Sequence, residues 1–192
     1  MENSVVNAAG KSDFESKVVA ETTQWLEKVV IGLNLCPFAK PVHMNGLIRF
    51  VVSPATTNEA LLVDLRRELL FLVETAAEVI ETTLLIHPGV LADFLDYNAF
   101  LEDSDRELEE LELDGVIQIA SFHPDYQFAG AKMSDVTNGT NRSPFPMLHL
   151  LREESVTRAL DGYANPERIY ERNMAALRSL GKTGLEALLK QP

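Results

Sequence analysis

Of 192 residues only one, Cys36, is a cysteine, so no intramolecular disulfide can form. That count fits a reducing compartment, and the expected location is cytoplasmic. No apolar run reaches the ~18 residues that a membrane helix needs, so no membrane association is expected. Lys and Arg form no cluster, and the net charge is −12. Nucleic acid is excluded as a partner, because binding it takes a basic stripe that replaces counterions. No glycine-rich Walker or Rossmann fingerprint is present, which excludes the usual mononucleotide and dinucleotide sites. His-Glu-x-x-His, Cys-x-x-Cys and calcium-loop patterns are missing too, although a metal site assembled from separate strand ends would leave no such signature. The metal and any other cofactor therefore stay unassigned, as does the oligomeric state. The first twelve residues lack the apolar stretch of a signal peptide and read as a loosely ordered tail.

What is present suffices for one domain over 13–192. Hydrophobic residues make up 46% of the chain, enough for a single core. Residues 13–34 read as a helix, with Phe14, Val18, Trp25, Leu26, Val29, Val30 and Leu33 at helical spacing. Pro37 and Pro41 end it. Leu47 to Val52 is short, β-branched and strand-like. Thr56-Thr57-Asn58-Glu59 is a capping box that opens a second helix through Leu62, Leu65, Leu69 and Leu72. Thr82 to His87 is a second strand. A helical stretch from Val90 to Leu113 follows, with a break expected near Asp103. Val116 to Phe122 is the third strand. Residues 124–146 show no period and are rich in Pro, Gly, Asn, Ser and Asp, which marks a functional or mobile loop. Ser143 then caps a helix with Pro144 at its first position, running to Leu160. Asn165-Pro166 starts the next, and Gly181 ends it.

This alternation predicts a single α/β domain with a small, mostly parallel sheet of three or four strands and flanking helices. A fourth strand would lie near Val42 to Met44 or Tyr126 to Phe128. A ferredoxin-like α+β sheet is the competing architecture.

The three strands end in Ser53-Pro54, His87-Pro88 and His123-Pro124, with the prolines 34 and 36 residues apart. In a parallel sheet these polar residues share the carboxyl edge, where open α/β sheets bind ligands. Proline also holds the preceding residue extended. His123 and His87 are thus the expected catalytic acid or base, since imidazole titrates near neutral pH. The plainer reading is that X-Pro is a common strand exit and that Ser53 caps a helix.

Asn141, Arg142 and Ser143 precede the helix expected from Pro144, and free amides beside Arg142 suit a small anionic ligand. Along that helix His149, Arg152 and Glu153 fall on one face and extend the ligand-binding set, or else form an ordinary solvated surface. Cys36 is the only possible thiol nucleophile. It follows a helix, at the dipole end that disfavours thiolate, so a buried structural thiol is the better reading. The run Glu102 to Asp114 holds eight carboxylates and one arginine. It reads as a solvated helix face or a docking surface for a basic partner.

The segments Leu33 to Ala39, Phe122 to Gly130 and Asn141 to Ser155 resemble those of an uncharacterised bacterial family, catalogued as a domain of unknown function (number fourteen-fifteen). The resemblance runs from about Thr23 to Leu180. It implies a bacterial, cytosolic protein and transfers no catalytic residue. The residues themselves favour a hydrolytic or group-transfer enzyme with a His/Arg pocket at the carboxyl edge. The alternatives are a non-catalytic ligand- or metal-binding module and an interaction protein that uses the acidic helix.

Overall fold

The computed structural model describes residues 3–161, 165 and 168–190. Met1 and Glu2 of the expected tail lie outside it, as does Pro166 of the expected helix start. Helix α1 spans Asn3–Trp25 and passes without interruption into a π-helical segment, Leu26–Ile31. The π register shows in Gly32 N–H, which bonds Glu27 O five residues back at 2.9 Å. Gly32 permits it, because a Cβ there would stand 2.2 Å from the Lys28 carbonyl oxygen. A short helix α2, Ala39–Met44, leads to strand β1, Ile48–Val52. Helix α3 is Asn58–Glu74, and its cap is Thr57, whose hydroxyl accepts from Ala60 N–H at 3.2 Å. The capping signal was therefore right in kind and off by one residue.

Strand β2 is Thr82–Ile86, helix α4 is Phe94–Glu110, and strand β3 is Ile117–Phe122. Helix α4 starts at an Asp93 cap and runs through Asp103 without the expected break. Asp103 sits on the solvated side, where Arg106 pairs with it at 2.7 Å, so nothing there interrupts the backbone. The 124–146 loop contains a 3-10 turn, Val136–Thr140, capped by Asp135. Strand β4, Met147–Arg152, follows, then helix α5, Glu153–Leu160, and helix α6, Arg168–Lys190, which breaks at Gly181 (φ 68°).

Strand β4 corrects the expected helix at 143–160. It is also the fourth strand, in place of Val42 to Met44 or Tyr126 to Phe128. A short segment that is mostly apolar, Met147 to Leu151, fits a buried strand as well as a helix turn, and the sheet decides. Sheet order is β1-β2-β4-β3, with β1 and β2 parallel and β4 antiparallel to both neighbours. The sheet is therefore mixed rather than mostly parallel. It is not ferredoxin-like either, since that fold needs a β-α-β-β-α-β order. Strands β1, β2 and β3 still point the same way, so Ser53, His87 and His123 do share one edge.

Helices flank both faces. Leu61, Leu65, Leu69 and Leu72 of α3 and Tyr97, Phe100 and Leu108 of α4 pack on Leu85, Leu148, Leu150 and Ile117. On the other face Trp25, Leu26, Val29 and Val30 pack on Leu84, Ile86 and Met147. Period-two alternation along β4 puts Leu148 and Leu150 toward α3 and α4, and Met147 and His149 toward α1.

Candidate functional site

At the carboxyl edge both histidine rings pack against Tyr97. The His87 ring stacks on Tyr97 at 5.7 Å, and the His123 ring lies 5.1 Å from it on another side. Tyr97 Oη donates to Met147 O at 2.8 Å and accepts from Phe122 N–H at 3.0 Å, tying α4 to β4 and β3. Both imidazoles are fully buried. A carbonyl can only accept, so His87 Nδ1–H donates to Val90 O at 3.2 Å, and His123 Nε2–H donates to Leu91 O at 3.1 Å. His123 Nδ1 accepts from Asp125 N–H at 3.0 Å. These bonds hold a turn in which Leu91 takes φ 58°, a conformation that strains a branched side chain. His87 Nε2 has no partner. Burial pushes the His87 pKa down to about 4 and lowers that of His123.

The expected anion-binding residues are committed to the backbone. Arg142 Nε and Nη2 donate to Tyr126 O at 3.1 Å and Met133 O at 2.8 Å, closing the loop. Asn141 Nδ2 bonds Ser121 O at 3.0 Å, and Ser143 Oγ bonds Phe145 O at 2.6 Å. No helix begins at Pro144, so the free amides expected beside Arg142 do not exist. Arg142 and Ser143 do line a surface groove with Pro124, Trp25 and Lys182. Arg152 Nη2 bonds the carbonyls of Leu72, Thr75 and Ile80, on the face opposite His149. Ser53 Oγ, rather than capping a helix, donates to Asp64 Oδ2 at 2.6 Å. In the acidic helix, Glu107 and Glu110 are engaged by Arg66 at 3.0 and 3.3 Å.

Two of the singled-out residues meet elsewhere. Cys36 and His149 line one cavity of about 50 Å³ between α1, the π-helical segment, α2 and the sheet. Trp25, Thr82, Leu84 and Phe122 form other parts of its wall. Leu26 and Val30 reach it from the π-helical segment, a local geometry that is frequent at functional sites. Asn173 Nδ2 of α6 fixes the adjoining backbone through Leu35 O at 2.7 Å.

Hydrogen-bond arithmetic sets the state of this cavity. Thr82 Oγ1 has one proton, and it goes to Leu150 O. The contact with His149 Nε2 at 2.8 Å therefore runs from the ring N–H to the hydroxyl oxygen. His149 Nδ1 is thereby left unprotonated. Trp25 Nε1–H is a buried donor with no partner. Burial lowers the His149 pKa to about 4, so the ring is neutral near pH 7. Burial raises the Cys36 pKa, and the amides of Phe38 and Ala39 act in the opposite sense. Thiol and imidazole are both uncharged.

Trp25 and Thr82 carried no sequence signal beyond a place on an apolar helix face and at a strand start. Among the described residues no group of three or more His, Cys, Asp or Glu side chains is arranged to hold a metal ion. No helix there is long and apolar enough to cross a membrane.

A family model described as a protein of unknown function (DUF1415) matches residues 17–187. No curated protein matches the chain, and no solved structure does.

Proposed function

The chain belongs to DUF1415, a family of unknown function, and we propose that this member is a small-molecule-binding protein whose site is the cavity shared by Trp25, Cys36 and His149. One observation carries the reading. Trp25, whose buried Nε1–H donor has no partner, shares the wall of this cavity with Cys36 and His149. An unpaired buried donor costs about 1–3 kcal/mol, with no structural return. Binding fits better than proton transfer, because a neutral imidazole with a pKa of about 4 is a weak base at pH 7.

The chain supplies its own reporters. Trp25 is the single tryptophan and Cys36 the single cysteine, and both line the cavity. Compact molecules of about four non-hydrogen atoms, the size such a volume holds, should change Trp25 emission saturably and slow alkylation of Cys36 by iodoacetamide. Ala39→Leu, which fills the cavity, should abolish both responses. A complete panel that moves neither reporter in the parent protein would overturn the proposal.

A second reading, a hydrolytic or group-transfer enzyme at the carboxyl edge, is favoured by one atom. His87 Nε2 is a buried lone pair without a partner, beside His123 and near the groove that holds Arg142. Its test is a substrate screen followed by His87→Gln and His123→Gln. Turnover unaffected in both folded variants would remove it.

A further inference from the structure

We infer that the surface groove between α1, α6 and the 124–146 loop binds a medium-chain carboxylate, with the anion on Arg142 and the chain along the apolar wall. The groove shares only Trp25 with the enclosed cavity and is a separate site. Four charged side chains line it, Glu21, Arg142, Lys182 and Glu186. Three of them are in ion pairs: Lys17 meets Glu21 at 3.8 Å, and Lys182 meets Glu186 at 3.9 Å. Arg142 has no carboxylate partner among the described residues. Its Nε and Nη2 are held by the Tyr126 and Met133 carbonyls, which fixes the guanidinium in place. Its Nη1 makes no hydrogen bond among the described residues, and a guanidinium keeps its charge at any ordinary pH. The groove therefore presents one oriented, uncompensated positive charge on a chain whose net charge is −12.

One uncompensated charge suits a monoanion. A phosphate monoester carries about two negative charges, and the second would enter a wall that already holds Glu21 and Glu186. A carboxylate carries one and takes a charge-assisted hydrogen bond from the guanidinium. The rest of the wall is Trp25, Val29, Pro124, Pro144, Leu185 and Leu189, so the part beyond the head is hydrocarbon. Leu189 is 40% exposed, which leaves apolar surface for a chain to cover. The volume, about 480 Å³, falls in the usual range of small-molecule sites.

Isothermal titration calorimetry on the full chain at physiological salt compares octanoate with octylammonium, which share a chain and differ in the sign of the head. The net charge of −12 favours the cation, so the overall field sets the order against the proposal. Salt screens that long-range field and leaves the contact with Arg142. Octanoate should bind saturably, about tenfold or more tighter than octylammonium. Leu189→Glu adds a negative charge to the wall at an exposed position and should weaken octanoate about tenfold. Arg142→Gln should remove the preference for the anion. That variant is checked for folding by circular dichroism, because Arg142 also closes the loop, and if it fails to fold Leu189→Glu decides. Alkylation of Cys36 by iodoacetamide, which reports the enclosed cavity, should not change with octanoate. Octylammonium bound as tightly as octanoate, or no binding of octanoate, overturns the assignment. So does an affinity unchanged in Leu189→Glu or a preference retained in folded Arg142→Gln. Slower alkylation of Cys36 puts the carboxylate in the cavity and overturns the groove as its site.

Discussion

Thr82 and His149 sit on neighbouring antiparallel strands, and the threonine hydroxyl fixes which nitrogen of the histidine carries the proton. A side chain that forms part of no charge pair thereby fixes the tautomer of a histidine in the cavity wall. Replacing Thr82 by valine keeps the shape and deletes the acceptor. His149 is expected to leave the pure Nε2–H tautomer, seen as a change in its ring ¹⁵N shifts. Stability should fall by about 1–2 kcal/mol, because a buried N–H loses its partner.

Acid should destabilise the fold before most carboxylates titrate. His87 and His149 both have folded pKa values of about 4, against an ordinary 6.5. Between those values the unfolded chain binds protons that the folded one refuses, so stability is lost as pH falls from 6.5 to 4. The expected loss is a few kcal/mol in all, read as a falling urea midpoint. His149→Phe should flatten part of that dependence. A midpoint that is flat from pH 6.5 to 5 in the parent would contradict it.

Glu68 is 1% exposed and takes the Arg49 Nε–H at 2.8 Å, with Arg67 at 3.3 Å. Arg49 also lies over the Phe71 ring at 4.3 Å. Glu68→Ala strands the partly buried Arg49 guanidinium, while exposed Arg67 keeps Asp64 at 2.7 Å, and should cost about 2–3 kcal/mol. The double change Glu68→Met with Arg49→Met should recover most of that, since removing both partners removes the desolvation penalty. Chemical denaturation of the single and double variants decides.

Glu112 follows the last turn of α4 with φ 56°, and its neighbour Leu113 N–H bonds Leu108 O at 2.9 Å. Glycine is the residue that this helix ending favours. Glu112→Gly is exposed and touches no core, so it should stabilise by about 1 kcal/mol, a melting shift of about 2–4 °C.

The parts of the fold that were legible in the sequence are local. β1, β2 and β3 announce themselves by β-branched runs that end in a polar residue and proline. Their shared direction was inferred correctly and survives the mixed pairing. β4 hid because Met147-Leu148-His149-Leu150-Leu151-Arg152 has no β-branched residue and follows a Ser-Pro pair that imitates a helix start. That one misreading moved two side chains. At helical spacing His149 and Arg152 share a face; at strand spacing they point to opposite sides of the sheet. The cavity left no trace in spacing either. Trp25, Cys36, Thr82 and His149 lie on four different segments, and only the packing of α1 and α2 on β2 and β4 brings them together.

The strand order has a consequence for the newborn chain. β3 has one neighbour in the sheet, β4, and β4 separates it from β2. As the polypeptide leaves the ribosome, β1 can pair with β2 early, while β3 waits with both edges bare. Until residue 152 has emerged, the sheet has no centre and the cavity has no histidine. At roughly 5–20 residues per second of synthesis, this leaves a window of a second or more. During it the chain is most exposed to wrong pairing, and a pause in translation just after β4 would be the one most useful to its folding.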